Sequence, residues 1–414
     1  MRGQAIKRIA WQRCLELSWD GFGTAESESL PQAHSIVGYH GKLPRSAQKG
    51  DEMDASYTAS RFAAALTLFA LSSTAGFATE TASRRVDLAP GIHQFLSPDI
   101  GGIAVDGNSI AIENERDVLV FDTNVLPSTA MKVLADIAKL TSKPVRYAVN
   151  SHWHPDHWDG NELYARNFPD LEIIASENTR RLMQNTMKVY VKTLEFESKE
   201  SNKALGDQLR TGKSADGKKI TETERREIHD TLQAEQNFLT EYKHLHPALP
   251  TLTFDHKLTL YHGGRVFELL ELPGNTAGDT VLYLPAERVL LTGDLLVYPV
   301  PYMASSHPKA WIESLEALDR LDAQLIVPGH GAAQHDKAYL HLVTDSLRYV
   351  VAQVHEALQR GMTLAETQKF VNLDSLRVKF THDDAQLNDE FQGNFMPILR
   401  QAYDEATEEL ELYQ

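Results

Sequence analysis

One loop restricts the folds open to this 414-residue chain more than any other segment. Ser151-His152-Trp153-His154-Pro155-Asp156-His157 follows directly on Val145-Arg146-Tyr147-Ala148-Val149, a run with strand character ended on its upstream side by Pro144. Three imidazoles and a carboxylate within positions 152–157, on irregular backbone, can point into one volume. Neither the 3.6-residue period of a helix nor the two-residue alternation of a strand would bring all four together. Zinc takes His nitrogen and Asp oxygen, and a catalytic zinc site keeps one position for water. The chain's single cysteine, Cys14, excludes an intrachain disulfide framework and a cysteine-based zinc knuckle, so a bound metal must be held by His and Asp. Surface histidines scattered over an acidic protein would account for one or two of these positions, not for all four.

The surrounding pattern is that of an α/β protein. Residues 85–125 read as short strands, Arg85–Leu88, Ile92–Phe95, Gly102–Val105, Ser109–Ile112 and Asp117–Phe121, with turns at Pro90-Gly91, Asp106-Gly107-Asn108 and Asn114-Glu115. Residues 128–140 fit one amphipathic helix with Met131, Leu134, Ile137 and Ala138 as its apolar positions. A loose internal echo follows. Val118 to His154 runs strand, Asp122, helix, strand, histidine loop, and Val289 to His330 runs strand, Asp294, helix over Lys309–Leu321, strand over Gln324–Val327, histidine loop. Two such units predict two sheets that meet at a shared edge where the loops at strand C-terminal ends converge. Between them lies an insertion at about 177–245. It reads as one helix over 177–210, a polar turn at Thr211–Gly217, and a second helix opened by the capping box Thr221-Glu222-Thr223-Glu224 with Ile228, Leu232, Leu239 and Tyr242 on one side. Such a hairpin would pack over the core or make a homodimer contact. Residues 337–372 and 386–410, within a C-terminal extension over 336–414, are also read as helix.

Composition limits the partners. Lys+Arg total 41 against Asp+Glu 57, a net charge of −16, which argues against nucleic acid and anionic lipid surfaces and leaves a small molecule as the expected partner. The 42 % hydrophobic content is enough for a sizeable core. Residues 1–52 read as disordered or untranslated. From Met53 a polar stretch to Arg61, the apolar run Phe62–Leu71 and small residues to Ala78 have the layout of a signal peptide, with cleavage after Ala78 and translation starting at Met53. The run is too short for a stable membrane span. A periplasmic or secreted protein is therefore expected, its main domain covering 79–335.

The ordered motifs resemble the metallo-beta-lactamase superfamily, whose pattern is a His-x-His-x-Asp-His loop, a later Gly-His, an Asp after a strand and a final Gly-His. His152, His154, Asp156 and His157 match the loop, Asp294 in Leu291-Thr292-Gly293-Asp294 matches the bridging carboxylate, and His330 in Val327-Pro328-Gly329-His330-Gly331 matches the last ligand. The likeness covers roughly 86–176 and 255–335. It implies a four-layered αββα sandwich, here carrying the inserted hairpin and the C-terminal helices. It also implies one metal site of His152, His154 and the residue at 275, another of Asp156, His157 and His330, and Asp294 between them. The cofactor would be zinc, one or two ions, or another divalent metal, which activates a water that Asp156 orients as the catalytic carboxylate.

One position departs from the pattern. In Leu272-Pro273-Gly274-Asn275-Thr276-Ala277-Gly278-Asp279 the family would place a histidine where Asn275 stands, and a neutral amide oxygen is a weak zinc ligand. Asn275 is read as a weak or absent ligand, which puts the doubt on metal number and not on the reaction class. Thr276, Asp279 and Asp122 are candidates for orienting imidazoles, and Trp153, Trp158, Tyr298 and Tyr302, with Pro299-Val300-Pro301, crowd the site's rim. The expected activity is hydrolysis of a small carbonyl compound, a beta-lactam, lactone or ester. The alternatives are a thioester hydrolase of the glyoxalase II kind and a non-enzymatic metal-binding or interaction protein.

Overall fold

Apolar runs broken by Pro90-Gly91 and Asp106-Gly107-Asn108 build a first sheet from the N-terminal half. The computed structural model describes residues 84–96, 99–100, 104–215 and 217–412, so the leader-like stretch 53–78 and the disordered or untranslated reading of 1–52 lie outside the described residues. Strands β1 (Arg84–Ala89) and β2 (Ile92–Leu96) form a hairpin, and β3 (Asp99–Ile100) pairs with β4 (Ala104–Val105). Antiparallel β5 (Ser109–Glu113) and β6 (Val118–Phe121) follow, then helix α1 (Pro127–Leu140), β7 (Val145–Val149), helix α2 (Asn161–Asn167) and β8 (Glu172–Ser176). The insertion comes next as α3 (Glu177–Thr211) and α4 (Glu222–Tyr242), before β9 (Leu252–Phe254) closes a seven-stranded sheet in the order β1-β2-β5-β6-β7-β8-β9. From β6 onward this sheet is parallel, as the intervening helices require.

A second, five-stranded sheet runs β10 (Lys257–His262), β11 (Arg265–Glu271), β12 (Thr280–Leu284), β13 (Val289–Val297) and β14 (Leu325–His330). Helix α5 (Pro308–Asp319) makes the crossover that sets β13 parallel to β14. The two sheets stack face to face and do not simply share an edge. Ile110, Ile112, Leu119, Phe121, Val149 and Ile174 of the first meet Phe267, Leu269, Leu282, Leu291 and Val327 of the second. On the outer face of the first sheet, α1 and α2 cover Val118, Val120 and Val145 with Ala130, Val133, Ile137 and Tyr164. On the outer face of the second, Trp311 and Leu315 of α5 and the C-terminal helices cover Val281, Leu290 and Leu295. The result is an αββα sandwich whose central strands are buried on both faces, which explains their near-continuous apolar sequences.

Three expectations are adjusted. The buried face of α1 is Ala130, Val133 and Ile137, while Met131 is exposed and Ala138 faces solvent, so the apolar stripe lies one position round from the one read from the sequence. The two C-terminal stretches divide into α6 (Ala338–Gln359), α7 (Leu364–Phe370), α8 (Asp374–Thr381), α9 (Ala385–Glu390), a π turn (Phe391–Phe395) and α10 (Ile398–Leu412). Gly361, at φ +72°, ends α6, and Thr363 with Glu366 opens α7 through a capping box. Finally, Asp294 does not follow its strand but lies inside β13. Pairing with β14 becomes irregular there because Gly293 adopts φ +54°, a turn that a side chain would resist and that would also set a Cβ 2.5 Å from Ser151 Cβ. Among the described residues no helix is long and apolar enough to cross a membrane.

The hairpin forms as its caps predict. Ser176 accepts from Thr179 N–H, Gly212 at φ +67° stops α3, and Thr221 and Glu224 make a reciprocal capping box on α4. Its tip has a core of its own, Leu205, Ile220 and Ile228 with Leu232 packed against it, and its base packs Met183, Phe238 and Tyr242 against Trp153 and Trp158 of the histidine loop.

Candidate metal centre

The histidine loop leaves β7 at its C-terminal end, where β6, β7 and β13, β14 all direct their following residues. Asp122, at the end of β6, sits at φ +60°, a left-handed conformation that Asp tolerates better than most residues. From there one carboxylate gathers the loop. Ser151 N donates to Asp122 Oδ1 at 2.7 Å, Ser151 Oγ to Oδ2 at 2.8 Å, and His157 Nδ1 to Oδ2 at 2.8 Å. Because Ser151 Oγ spends its one proton on Asp122, His152 Nδ1, 2.9 Å away, must be the donor to it. On the other side His154 Nε2 donates to Ser305 Oγ at 3.1 Å, and Ser305 Oγ donates to the backbone carbonyl of Asn275 at 3.2 Å. These partners fix the tautomers, leaving lone pairs on His152 Nε2, His154 Nδ1 and His157 Nε2.

Those lone pairs converge. Two groups, buried except for the half-buried His330, have their ligand atoms mutually within 4.8 Å: His152, His154 and Asp294, and Asp156, His157 and His330. In the second group the separations are 3.3 Å (His157 Nε2 to Asp156 Oδ2), 3.1 Å (His330 Nε2 to Asp156 Oδ2) and 3.2 Å (His157 Nε2 to His330 Nε2). Ligands about 2.0–2.1 Å from a tetrahedral ion lie ~3.3 Å from one another, so this triangle has the size a zinc ion needs. In the first group His152 Nε2 lies 2.8 Å from His154 Nδ1 and 3.7 Å from Asp294 Oδ2. Asp294 spans the two, with Oδ1 3.4 Å from His157 Nε2 and no hydrogen-bond partner although it is buried. An orphaned carboxylate oxygen among lone pairs fits a cation and little else.

Charge divides the groups. Burial, with His157 and His154 close by, holds His152 well below the usual imidazole range, and burial brings His154 down to about 3. At His157 burial acts in the same direction, but the Asp156, Asp294 and Asp122 carboxylates outweigh it and raise the imidazole well above its usual value. His330 is raised by Asp294 and Asp156 against the same burial. The carboxylates therefore bear more strongly on His157 and His330 than on His152 and His154, a setting that retains a proton or a metal ion.

His152, His154, Asp156, His157, Asp294 and His330, read from the sequence as ligands, all lie in this volume. The turn at Asp106-Gly107-Asn108 has a part in assembling it that its sequence did not disclose. A Cβ on Gly107 would fall 2.8 Å from Asp156 O, and Asn108 Nδ2 donates to Pro328 O and Gly331 O at 2.9 Å, pinning the His330 strand to the first sheet. Asn275 has no exposed surface, and neither its Oδ1 nor its Nδ2 has a partner. Thr276 and Asp279 do not reach an imidazole: Thr276 N and Oγ1 donate to the Asp279 carboxylate at 2.7 and 3.0 Å, closing the Asn275 turn on itself. Of the rim aromatics, Trp153 and Trp158 are buried, the indole of Trp158 donating to Trp153 O at 2.8 Å, and Tyr298 packs edge-on against Tyr339. Trp153 and Tyr302 both meet a ligand edge-on, their rings 4.6 and 5.7 Å from that of His154. Ser151 and Ser305 carry no sequence signal of their roles, since a serine gains meaning here only from what the fold sets beside it.

A two-sheet sandwich with two His/Asp triads joined by a carboxylate at its strand ends defines a metal-dependent hydrolase with a zinc-type donor set. The chain belongs to the metallo-beta-lactamase superfamily, whose sequence profile matches residues 102–330. Among curated proteins it is similar to a linear primary-alkylsulfatase from Pseudomonas sp. (strain ATCC 19151), 25 % identical over 312 residues, 70 % of this chain and 54 % of that protein. Similar solved structures include the stereoselective inverting sec-alkylsulfatase Pisa1 from Pseudomonas sp. (TM-score 0.53, 17 % identity, 78 % of this chain and 50 % of that one). A metallo-beta-lactamase from Pontibacter korlensis also matches (TM-score 0.45, 19 % identity, 64 % of this chain and 99 % of that one). The chain thus spans about half the length of the alkylsulfatases it matches.

Proposed function

We propose that this protein is a zinc hydrolase of sulfate esters of simple alcohols, with one ion held by Asp156, His157 and His330 and a second, weaker one by His152, His154 and Asp294. The observation that carries the hydrolytic reading is the convergence of both triads on Asp294, whose Oδ1 has no other partner. Zinc, when bound, supplies a Lewis acid and lowers the pKa of water towards neutrality. The chain's own residues do the rest. Asp156, between His157 and His330, orients the attacking water and takes its proton, Asp122 and Ser305 keep the imidazole lone pairs on target, and the buried walls exclude bulk solvent. Water adds across the ester bond, and the acid and the alcohol leave. The sulfate-ester assignment is supported by the 25 % identity to a linear primary-alkylsulfatase over 70 % of this chain.

A second reading, hydrolysis of a neutral carbonyl compound such as a carboxylic ester, lactone or beta-lactam, is favoured by one feature. Among the described residues no lysine or arginine is buried, so none stands among the buried ligands to meet an anionic head, whereas a carbonyl needs no cationic side chain. Zinc-loaded protein assayed against alkyl sulfates, carboxylic esters, lactones, thioesters and a beta-lactam, with and without chelator, separates these. Chelator-sensitive release of sulfate is expected. Turnover confined to carbonyl substrates would transfer the assignment to the second reading, and no chelator-sensitive turnover of any substrate would overturn both.

Asn275 bears on metal number. Its amide, buried and unpaired, offers the weaker site a neutral oxygen at best, a poorer zinc donor than an imidazole nitrogen. Asn275→His is expected to tighten the weaker ion by at least about tenfold, ~1.4 kcal/mol, read as the second step of a zinc titration against a chelating dye. An unchanged second step would show that position 275 does not face that ion.

A further inference from the structure

Among the described residues the inserted hairpin is joined to the end of the metal loop by one side-chain hydrogen bond. Tyr242, in the last turn of α4, donates its hydroxyl to Asp159 Oδ2 at 2.8 Å across 83 residues of sequence, with both residues buried. Asp159 Oδ1 has no hydrogen-bond partner, so among the described residues Tyr242 is the sole hydrogen-bond donor to this carboxylate. Asp159 lies two residues after His157, and its N–H closes the turn that presents Asp156 and His157 onto Pro155 O at 3.0 Å. Around this contact the insertion is fastened firmly. Phe238 stacks on Tyr242 with ring centroids 5.3 Å apart, the Glu241 carboxylate accepts from Ser128 N, Glu162 accepts from His246 N at 2.8 Å, and Asn161 Nδ2 donates to Ala248 O at 3.0 Å.

We propose that Tyr242 is a positioning residue for the metal centre: through Asp159 it fixes the Pro155–His157 turn, so that the inserted hairpin sets the geometry of the Asp156/His157/His330 triad. The other triad is held by different means. His152 is fixed through Ser151 and Asp122 and His154 through Ser305, none of which meets the hairpin's hydroxyl. A buried acceptor that loses its only donor is free to seek another, and the turn carrying two ligands moves with it. The consequence is selective: one metal step depends on the insertion and the other does not. This inference rests on the metal placement given above.

The test is a zinc titration of the full chain against a chelating dye, with the step belonging to Asp156/His157/His330 identified by its loss in His330→Ala. Tyr242→Phe, which removes one oxygen, is expected to weaken that step by about 10- to 100-fold, the usual cost of removing a partner of a metal ligand, and to leave the other step in place. Asp159→Asn, which keeps a carbonyl oxygen for Tyr242 to bond, is expected to retain most of the affinity. Phe238→Leu, which trims the same packing without touching the hydrogen bond, is expected to leave both steps unchanged. Equal weakening of both steps in Tyr242→Phe, no weakening, loss of its cooperative thermal melt, or an equal effect of Phe238→Leu would each overturn the proposal. If wild-type protein shows no step that His330→Ala removes, the metal placement itself falls, and the two failures are thereby distinguished.

Discussion

Replacing Asp156 with alanine is expected to remove hydrolysis of whichever ester the wild type turns over, by about a thousandfold or more. The side chain has two duties. It is the one carboxylate in its triad, 3.1 Å from His330 Nε2 and 3.3 Å from His157 Nε2, and it is the group placed to take the proton of the attacking water. Losing a metal's contribution to transition-state charge costs several kcal/mol, and about 1.4 kcal/mol is a factor of ten in rate. The loss should fall on kcat and kcat/KM together, since the interaction is made in the transition state. Zinc content measured on the same preparation separates loss of the ion from loss of the base. Turnover at the wild-type rate would sink the assignment of Asp156.

Asp122→Asn is expected to damage both triads at once. The wild-type carboxylate accepts from Ser151 N, Ser151 Oγ and His157 Nδ1, so one residue sets the tautomers of His152 and His157. An amide of the same shape must turn an NH2 towards at least one of these donors. A buried donor facing a donor costs about 1–3 kcal/mol, and the disoriented imidazoles should bind zinc about 10- to 100-fold more weakly. Both steps of the titration should weaken, in contrast to the selective effect expected of Tyr242→Phe. A variant that melts and binds zinc as the wild type does would show that Asp122 is only a turn cap.

The donors of the site were legible because ligand chemistry allows few residue types and the chain places four of them in one loop. Asp294 and His330 were legible because each follows an apolar run with a glycine directly before it, although the strand carrying Asp294 continues past it. The αββα layering followed from the family resemblance and from the doubled strand-helix-strand unit, although that unit alone suggested sheets meeting at an edge, not stacked through a shared core. Local reading failed wherever a role depends on distant partners. Ser305 lies 151 residues from His154, Tyr242 lies 83 from Asp159 and Asn108 lies 220 from Pro328, and no periodicity predicts such pairs. The face of α1 was misread for a simpler reason. Met131 is apolar but stays in water, and composition cannot distinguish a stripe from its neighbour one position round.

The two sheets contribute unequally and at different points of the chain. The first supplies every donor between positions 152 and 157, while the second supplies Asp294 and, 173 residues after His157, His330. Neither triad is complete within one sheet, so a fragment that stops before β13 would carry imidazoles and Asp156 yet enclose no ion. Ion capture would then report that the two halves of the sandwich have closed, and a chelator would pull on the seam between them as well as on the chemistry.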